Sequence, residues 1–349
     1  MCMHFLIYCQ YEDVRICAPW GDITGRWYGN RNERPILALH GWLDNLGSFN
    51  TLIPLLPDYL GVLCIDLPGH GRSSRLQAGM RYAVYDYVLI IARVMKEYKW
   101  TRVSLMGHSM GGVISFIYAS LCPHMVDMVI SLDILIPPIL GAKLIDMMSY
   151  STEKQLVEDE RSAEWQLHEP PSYSLPQLRE LITRGSRNSV PAEFAPHLLY
   201  RSVAKSQLYP DKFYFSRDGR VKFYNLFVID SGLAAEMARR IKKIPYLVIK
   251  GSESTYIDKS SNEVLSILGS QNPHFEYHEV PGNHHVHLTN ATECAQYIVP
   301  FIRHHRPPTL GSWSMAEEEA ASGKRDQRRK AQERFFIWRR QKPRVLNKL

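Results

Sequence analysis

The sequence predicts an α/β protein: a mostly parallel central sheet with helices on both faces and a helical cap inserted into it. Three observations carry this. Short continuous apolar runs of strand length alternate with helical patterns from residue 35 to 132 and again after 245, as right-handed crossovers between parallel strands require. Between 137 and 243 the alternation stops, over a span far too long for a connecting loop. Finally, Gly107-His108-Ser109-Met110-Gly111 follows the strand-like run Val103-Ser104-Leu105-Met106 and opens a helical pattern, so a strand ends abruptly at a sharp turn that starts a helix.

The elements follow in order. Residues 14–17 and 22–27 are short strand patterns around the turn Pro19-Trp20-Gly21, an antiparallel hairpin at a sheet edge. Residues 35–39 and 62–65 are buried parallel strands. A helix is expected over 82–98, with apolar positions at Val84, Tyr87, Val88, Ile91, Val94 and Met95. The strand leading to Ser109 and its helix (112–121) come next, then a strand over 128–132 that ends at Asp133. The cap, 137–243, is helical, punctuated by Pro170-Pro171, Pro176, Pro191 and Pro196, with one hairpin from Phe213-Tyr214-Phe215 around Asp218-Gly219. Strands at 245–250 and 275–280 and a helix over 292–304 complete the core. The domains are therefore a core of 1–136 and 244–310, a cap of 137–243 and a tail of 311–349.

With 349 residues and 45% hydrophobic content, one large domain plus an insertion is the natural count. Six cysteines are scattered without a C-x-x-C. Cys64 and Cys122 lie in apolar patterns and read as small buried hydrophobes in a reducing compartment. No apolar run approaches the ~20 residues of a membrane span, and the first residues lack a basic start, so an intracellular soluble protein is expected. The sequon at Asn290 then carries no meaning. Of the formal charge of +7, residues 311–349 supply +6 from eleven Lys/Arg and five Asp/Glu. The remaining 310 residues are nearly neutral and give no reason to expect nucleic acid.

The chemistry centres on Ser109. Glycines at 107 and 111 let strand and helix approach closely, and the turn lifts the hydroxyl to the positive end of the following helix. A serine needs a base within reach, itself oriented by a carboxylate. His284, in Gly282-Asn283-His284-His285-Val286-His287 after the last strand, stands where such a base belongs; His285 competes, and His287 points elsewhere. Two places can supply the acid. The loop after the 245–250 strand offers Glu253, with Asp258 rather far along, but no aspartate at the usual offset. Asp133, at the end of the strand after the nucleophile's helix, is the favoured candidate and Glu253 the alternative. The strand ending in His40-Gly41 is the place for a second oxyanion donor, which assigns the backbone N–H groups of Trp42 and Met110 to an oxyanion hole. No metal site and no cofactor motif is apparent.

His40-Gly41-Trp42-Leu43-Asp44-Asn45, Gly69-His70-Gly71-Arg72-Ser73, Gly107-His108-Ser109-Met110-Gly111-Gly112 and the Gly282–His287 element together resemble the α/β-hydrolase superfamily. More narrowly, the Trp-Leu-Asp-Asn after His-Gly and the Gly-Asn-His-x-Val-His element resemble the serine hydrolase-like (kraken-like) family of animals, over about residues 12–305. The resemblance implies the α/β-hydrolase fold and a Ser-His-acid hydrolase of poorly defined natural substrate, with detoxification, digestion or peroxisomal lipid roles suggested for relatives. Related dehalogenases and epoxide hydrolases use an aspartate nucleophile, and Ser109 excludes their alkyl-enzyme chemistry. The acid slot departs from the common superfamily pattern.

The expected function is cleavage of a carboxylic ester or related acyl bond in a small apolar substrate, through an acyl-enzyme. The alternative, from a different class, is an inactive hydrolase-fold protein that binds a small ligand or partner. The tail reads as a basic, solvated extension with a weak contact to an acidic membrane surface as its sharper reading. Its last residues, Asn347-Lys348-Leu349, resemble the Ser-Lys-Leu peroxisomal address, which makes a peroxisomal location the alternative to a cytoplasmic one.

Overall fold

The structure, a computed structural model, describes residues 10–164, 169–223 and 228–308. The expectations for 311–349 lie outside the described residues. Ten strands occur among them: β1 (Tyr11–Ala18), β2 (Gly21–Tyr28), β3 (Ile36–Leu39), β4 (Val62–Ile65), β5 (Val103–His108), β6 (Val126–Leu132), β7 (Val203–Lys205), β8 (Phe213–Phe215), β9 (Tyr246–Gly251) and β10 (Phe275–Val280). Eight form one sheet in the order β1-β2-β4-β3-β5-β6-β9-β10. The β1–β2 hairpin joins β4 antiparallel at one edge, and every other pairing is parallel.

The sheet has two buried faces because its central strands β3, β4, β5, β6 and β9 are buried at nearly every position, and their two-residue period sends alternate side chains to opposite sides. Leu37, Leu39, Leu105, Tyr246 and Val248 join one cluster with helices α1 (Val84–Glu97) and α2 (Met110–Leu121). Ile36, Ala38, Met106, Leu247 and Ile249 join another, completed by Phe49 and Phe301. Among the described residues no helix is long and apolar enough to cross a membrane.

Between β6 and β9 the chain forms α3 (Lys143–Glu164), α4 (Leu175–Gly185), α5 (Ala195–Ser202), the β7–β8 ribbon and α6 (Ser231–Arg239). Ser174 and Gln177 close a reciprocal cap on α4. One sequence expectation is corrected here. Phe213–Phe215 does not fold forward around Asp218-Gly219; it pairs backward with Val203–Lys205. Asp218 is no turn residue. Its buried carboxylate accepts the Tyr82 hydroxyl (2.9 Å) and the Arg220 guanidinium (2.8 Å), while Gly219–Phe223 forms a short 3-10 turn.

The insertion is fastened to the loops that carry the Gly69–Ser73 and His40–Asn45 motifs. Arg201 of α5 reaches the fully buried Asp66 with Nε and Nη2 at 3.0 and 2.8 Å. The same carboxylate accepts the backbone N–H groups of Leu46 and Arg72. Asn45 Nδ2 donates to the Leu198 carbonyl (2.7 Å), and Trp42 Nε1 to that of Val221 (2.7 Å). After β9 come α7 (Asn262–Gln271), the single turn α8 (Val286–Thr289) and α9 (Ala291–His305).

Removing one member of a buried ion pair leaves the other charge uncompensated. Arg201→Met should therefore lower unfolding stability by about 3–5 kcal/mol, measured by urea denaturation, whereas Arg15→Met, from the exposed Arg15–Asp22 pair, should be near neutral.

Candidate active site

Ser109 sits between β5 and α2 with φ +49° and ψ −118°, a backbone conformation that non-glycine residues rarely adopt. Its neighbours make the turn possible. A Cβ at Gly107 would overlap the backbone of Gly111 and Gly112, and one at Gly111 would overlap the Leu39 carbonyl of β3. The Ser109 N–H is held by the Leu132 carbonyl (3.2 Å), which ties the elbow to the end of β6.

The loop after β10 brings His284 to this serine, with Nε2 2.9 Å from Ser109 Oγ. Its Nδ1 lies 2.7 Å from Asp133 Oδ2, just past the end of β6. His284 thus stands between a hydroxyl and a carboxylate 24 residues apart in the chain (109 to 133). Burial pushes the imidazole below its ordinary pKa, so the neutral form able to accept a proton is favoured. Burial raises the Asp133 carboxyl, and hydrogen bonds from the Ser254 hydroxyl and the Gly251 N–H (2.8 Å) act against that rise.

The alternative acid, Glu253, is exposed, and its N–H is bound to the Gly282 carbonyl. Asp258 instead caps the short turn Lys259–Ser261. His285 faces away from Ser109: its Nδ1 is 2.7 Å from Ser189 Oγ and its Nε2 3.2 Å from Asp44. His287 is fully buried, its ring 4.1 Å from that of His108. Of the two oxyanion candidates, Met110 begins α2, where the first N–H groups have no acceptor within the helix. Trp42 lies on the loop after β3, where Gly41 packs closely on His108, the residue before the serine.

Two side chains absent from the sequence reading belong to the site. The Tyr256 ring stacks on His284 with centroids 3.6 Å apart and planes 15° from parallel. Ser254 donates to Asp133. Both lie in Gly251–Asp258, the stretch that carries Glu253 and Asp258. Their signal there was a hydroxyl and an aromatic in place of an acid.

The model of the α/β-hydrolase fold matches residues 34–291, and the chain belongs to that family. Within it the chain groups with serine hydrolase-like proteins. It is 33% identical to a probable serine hydrolase of Drosophila melanogaster, over 84% of this chain and 88% of the relative. It is 32% identical to a serine hydrolase-like protein of Danio rerio, over 87% of this chain and 92% of the relative. Among solved structures, a hypothetical protein of Pseudomonas aeruginosa superposes with a TM-score of 0.69 at 28% identity, covering 83% of this chain and 98% of that one.

The geometry makes Asp133 and Glu253 separable by experiment. Labelling by a fluorophosphonate should be slowed by Asp133→Asn by orders of magnitude, about 10⁴-fold if the base is left in the wrong tautomer. Glu253→Gln should label at the wild-type rate, as read by gel fluorescence against time.

Proposed function

We propose that the protein is a serine hydrolase that cleaves a carboxylic ester or a related acyl bond. The observation that carries this is the unbroken line Ser109 Oγ–His284 Nε2 at 2.9 Å and His284 Nδ1–Asp133 Oδ2 at 2.7 Å. Its membership of a hydrolase family supports the same reading.

In the proposed reaction His284 takes the Ser109 proton as the oxygen attacks the substrate carbonyl, and the Asp133 carboxylate holds the imidazolium that results. The backbone N–H groups of Met110 and Trp42 receive the oxyanion, at the positive end of α2. His284 then gives its proton to the departing alcohol. Water, deprotonated by the same imidazole, releases the acyl group and restores Ser109. Tyr256, stacked on the His284 ring, and Ser254, bonded to the acid, keep the base in plane between its two partners.

The test is hydrolysis of p-nitrophenyl esters from acetate to decanoate. Wild type should turn over with a chain-length preference, and Ser109→Ala and His284→Ala should each lose ~10⁴-fold or more in kcat. Equal, feeble rates for all three proteins would instead favour a ligand-binding protein on a hydrolase fold.

A further inference from the structure

Directly beneath the proposed oxyanion loop, three buried groups converge: Asp44, His108 and His285. His285 Nε2 is 3.2 and 3.4 Å from the two Asp44 oxygens, and His108 Nδ1 is 3.4 Å from Oδ2. The donor atoms all lie within 4.8 Å of one another.

The proton positions make this cluster unusual. His108 Nε2 faces the His284 carbonyl at 3.0 Å, and a carbonyl only accepts, so Nε2 carries the hydrogen. Ser189 Oγ spends its single hydrogen on the Ser186 carbonyl (2.6 Å), so at 2.7 Å it accepts from His285 Nδ1. Each ring therefore uses its N–H away from Asp44. In its neutral form each then turns a bare lone pair toward the carboxylate. Such lone pairs repel the carboxylate unless a proton or a metal cation lies among them. Consistent with this, His108 Nδ1 is buried without a hydrogen-bond partner. The space above is kept clear by Gly41, where a Cβ would stand 2.9 Å from both Asp44 Oδ2 and His108 Nδ1.

We propose that Asp44 Oδ2, His108 Nδ1 and His285 Nε2 form a binding site for one divalent transition-metal ion of the zinc class. The Asp44–His285 and Asp44–His108 separations of 3.2 and 3.4 Å match the ~3.3–3.4 Å between ligand atoms of a tetrahedron with bonds of ~2.0–2.1 Å, and the two ring nitrogens lie within 4.8 Å of each other. The outer partners match too: ligating histidines typically donate their second N–H to a carbonyl or another polar group, as His108 and His285 do here. Three protein ligands leave a fourth position for water. The ligands come from the loop after β3, the residue before Ser109 and the residue after His284. The ion would thus tie together the three segments that carry the proposed reacting groups. This inference does not depend on the chain being an active hydrolase.

The test uses the full chain after chelator treatment, titrated with Co²⁺ as a spectroscopic probe and with Zn²⁺ in equilibrium dialysis. One equivalent should bind, with the visible absorption of four-coordinate cobalt and a rise in melting temperature. Asp44→Asn and His285→Gln should each weaken binding by more than the ~10–100-fold that losing an outer partner costs. His305→Ala, in the separate histidine group of His274, His304 and His305, should not change it. Should the buried variants fail to fold, ¹⁵N imidazole shifts of the wild type decide: Zn²⁺ must perturb His108 Nδ1 and His285 Nε2. Absence of stoichiometric uptake, uptake that follows His305 instead, or both rings doubly protonated and indifferent to Zn²⁺ would overturn the proposal.

Discussion

The hydrogen bond between His284 and Asp133 joins residues 151 positions apart, and the arrangement of the site follows from it. Asp133 stands at the end of β6, beside β5, the strand that leads to Ser109, whereas His284 follows β10 at the far edge. β9 lies between them, so its loop has to pass without obstructing the contact. It does so by turning at once: Ser254 N–H bonds back to the Gly251 carbonyl, and the loop braces Asp133 through the Ser254 hydroxyl. The Gly251 N–H and the Ser254 hydroxyl occupy Asp133, leaving Oδ2 shared with the imidazole. A buried carboxylate is costly unless its acceptor sites are filled, and here backbone, hydroxyl and imidazole fill them.

The same economy of burial holds the insertion in place. Asp66 would be an expensive anion at the heart of the core, yet Arg201 and two backbone N–H groups meet it, which links α5 to the core loops. Trp42 and Asn45 add bonds from the proposed oxyanion loop to the carbonyls of Val221 and Leu198. The position of that loop is consequently coupled to the seating of the insertion. A change in the insertion can reach the Trp42 N–H without touching Ser109.

Much of this was legible in the chain. Continuous apolar runs marked the parallel strands, because both faces of the sheet are covered. The elbow was legible because Gly107 and Gly111 answer to contacts within a few residues or with the adjacent strand. The choice between Asp133 and Glu253 was not, since it depends on which strand end faces the histidine, a matter of strand order that local pattern does not carry. The hairpin expected around Asp218-Gly219 failed for a related reason. That dipeptide has turn character, but Asp218 is committed to Tyr82 and Arg220, and β8 found its partner upstream. The Asp44–His108–His285 cluster was hidden by separation alone, with 241 positions between its first and last members.

In the proposed reaction Ser109 carries the acyl group between two half-reactions. Stopped-flow mixing with a p-nitrophenyl ester, followed by acid quench and peptide mass spectrometry, tests it most directly. A burst approaching one p-nitrophenol per chain, with the acyl mass on the peptide containing Ser109, is the expected result. No burst, or an acyl mass confined to lysines, would contradict it.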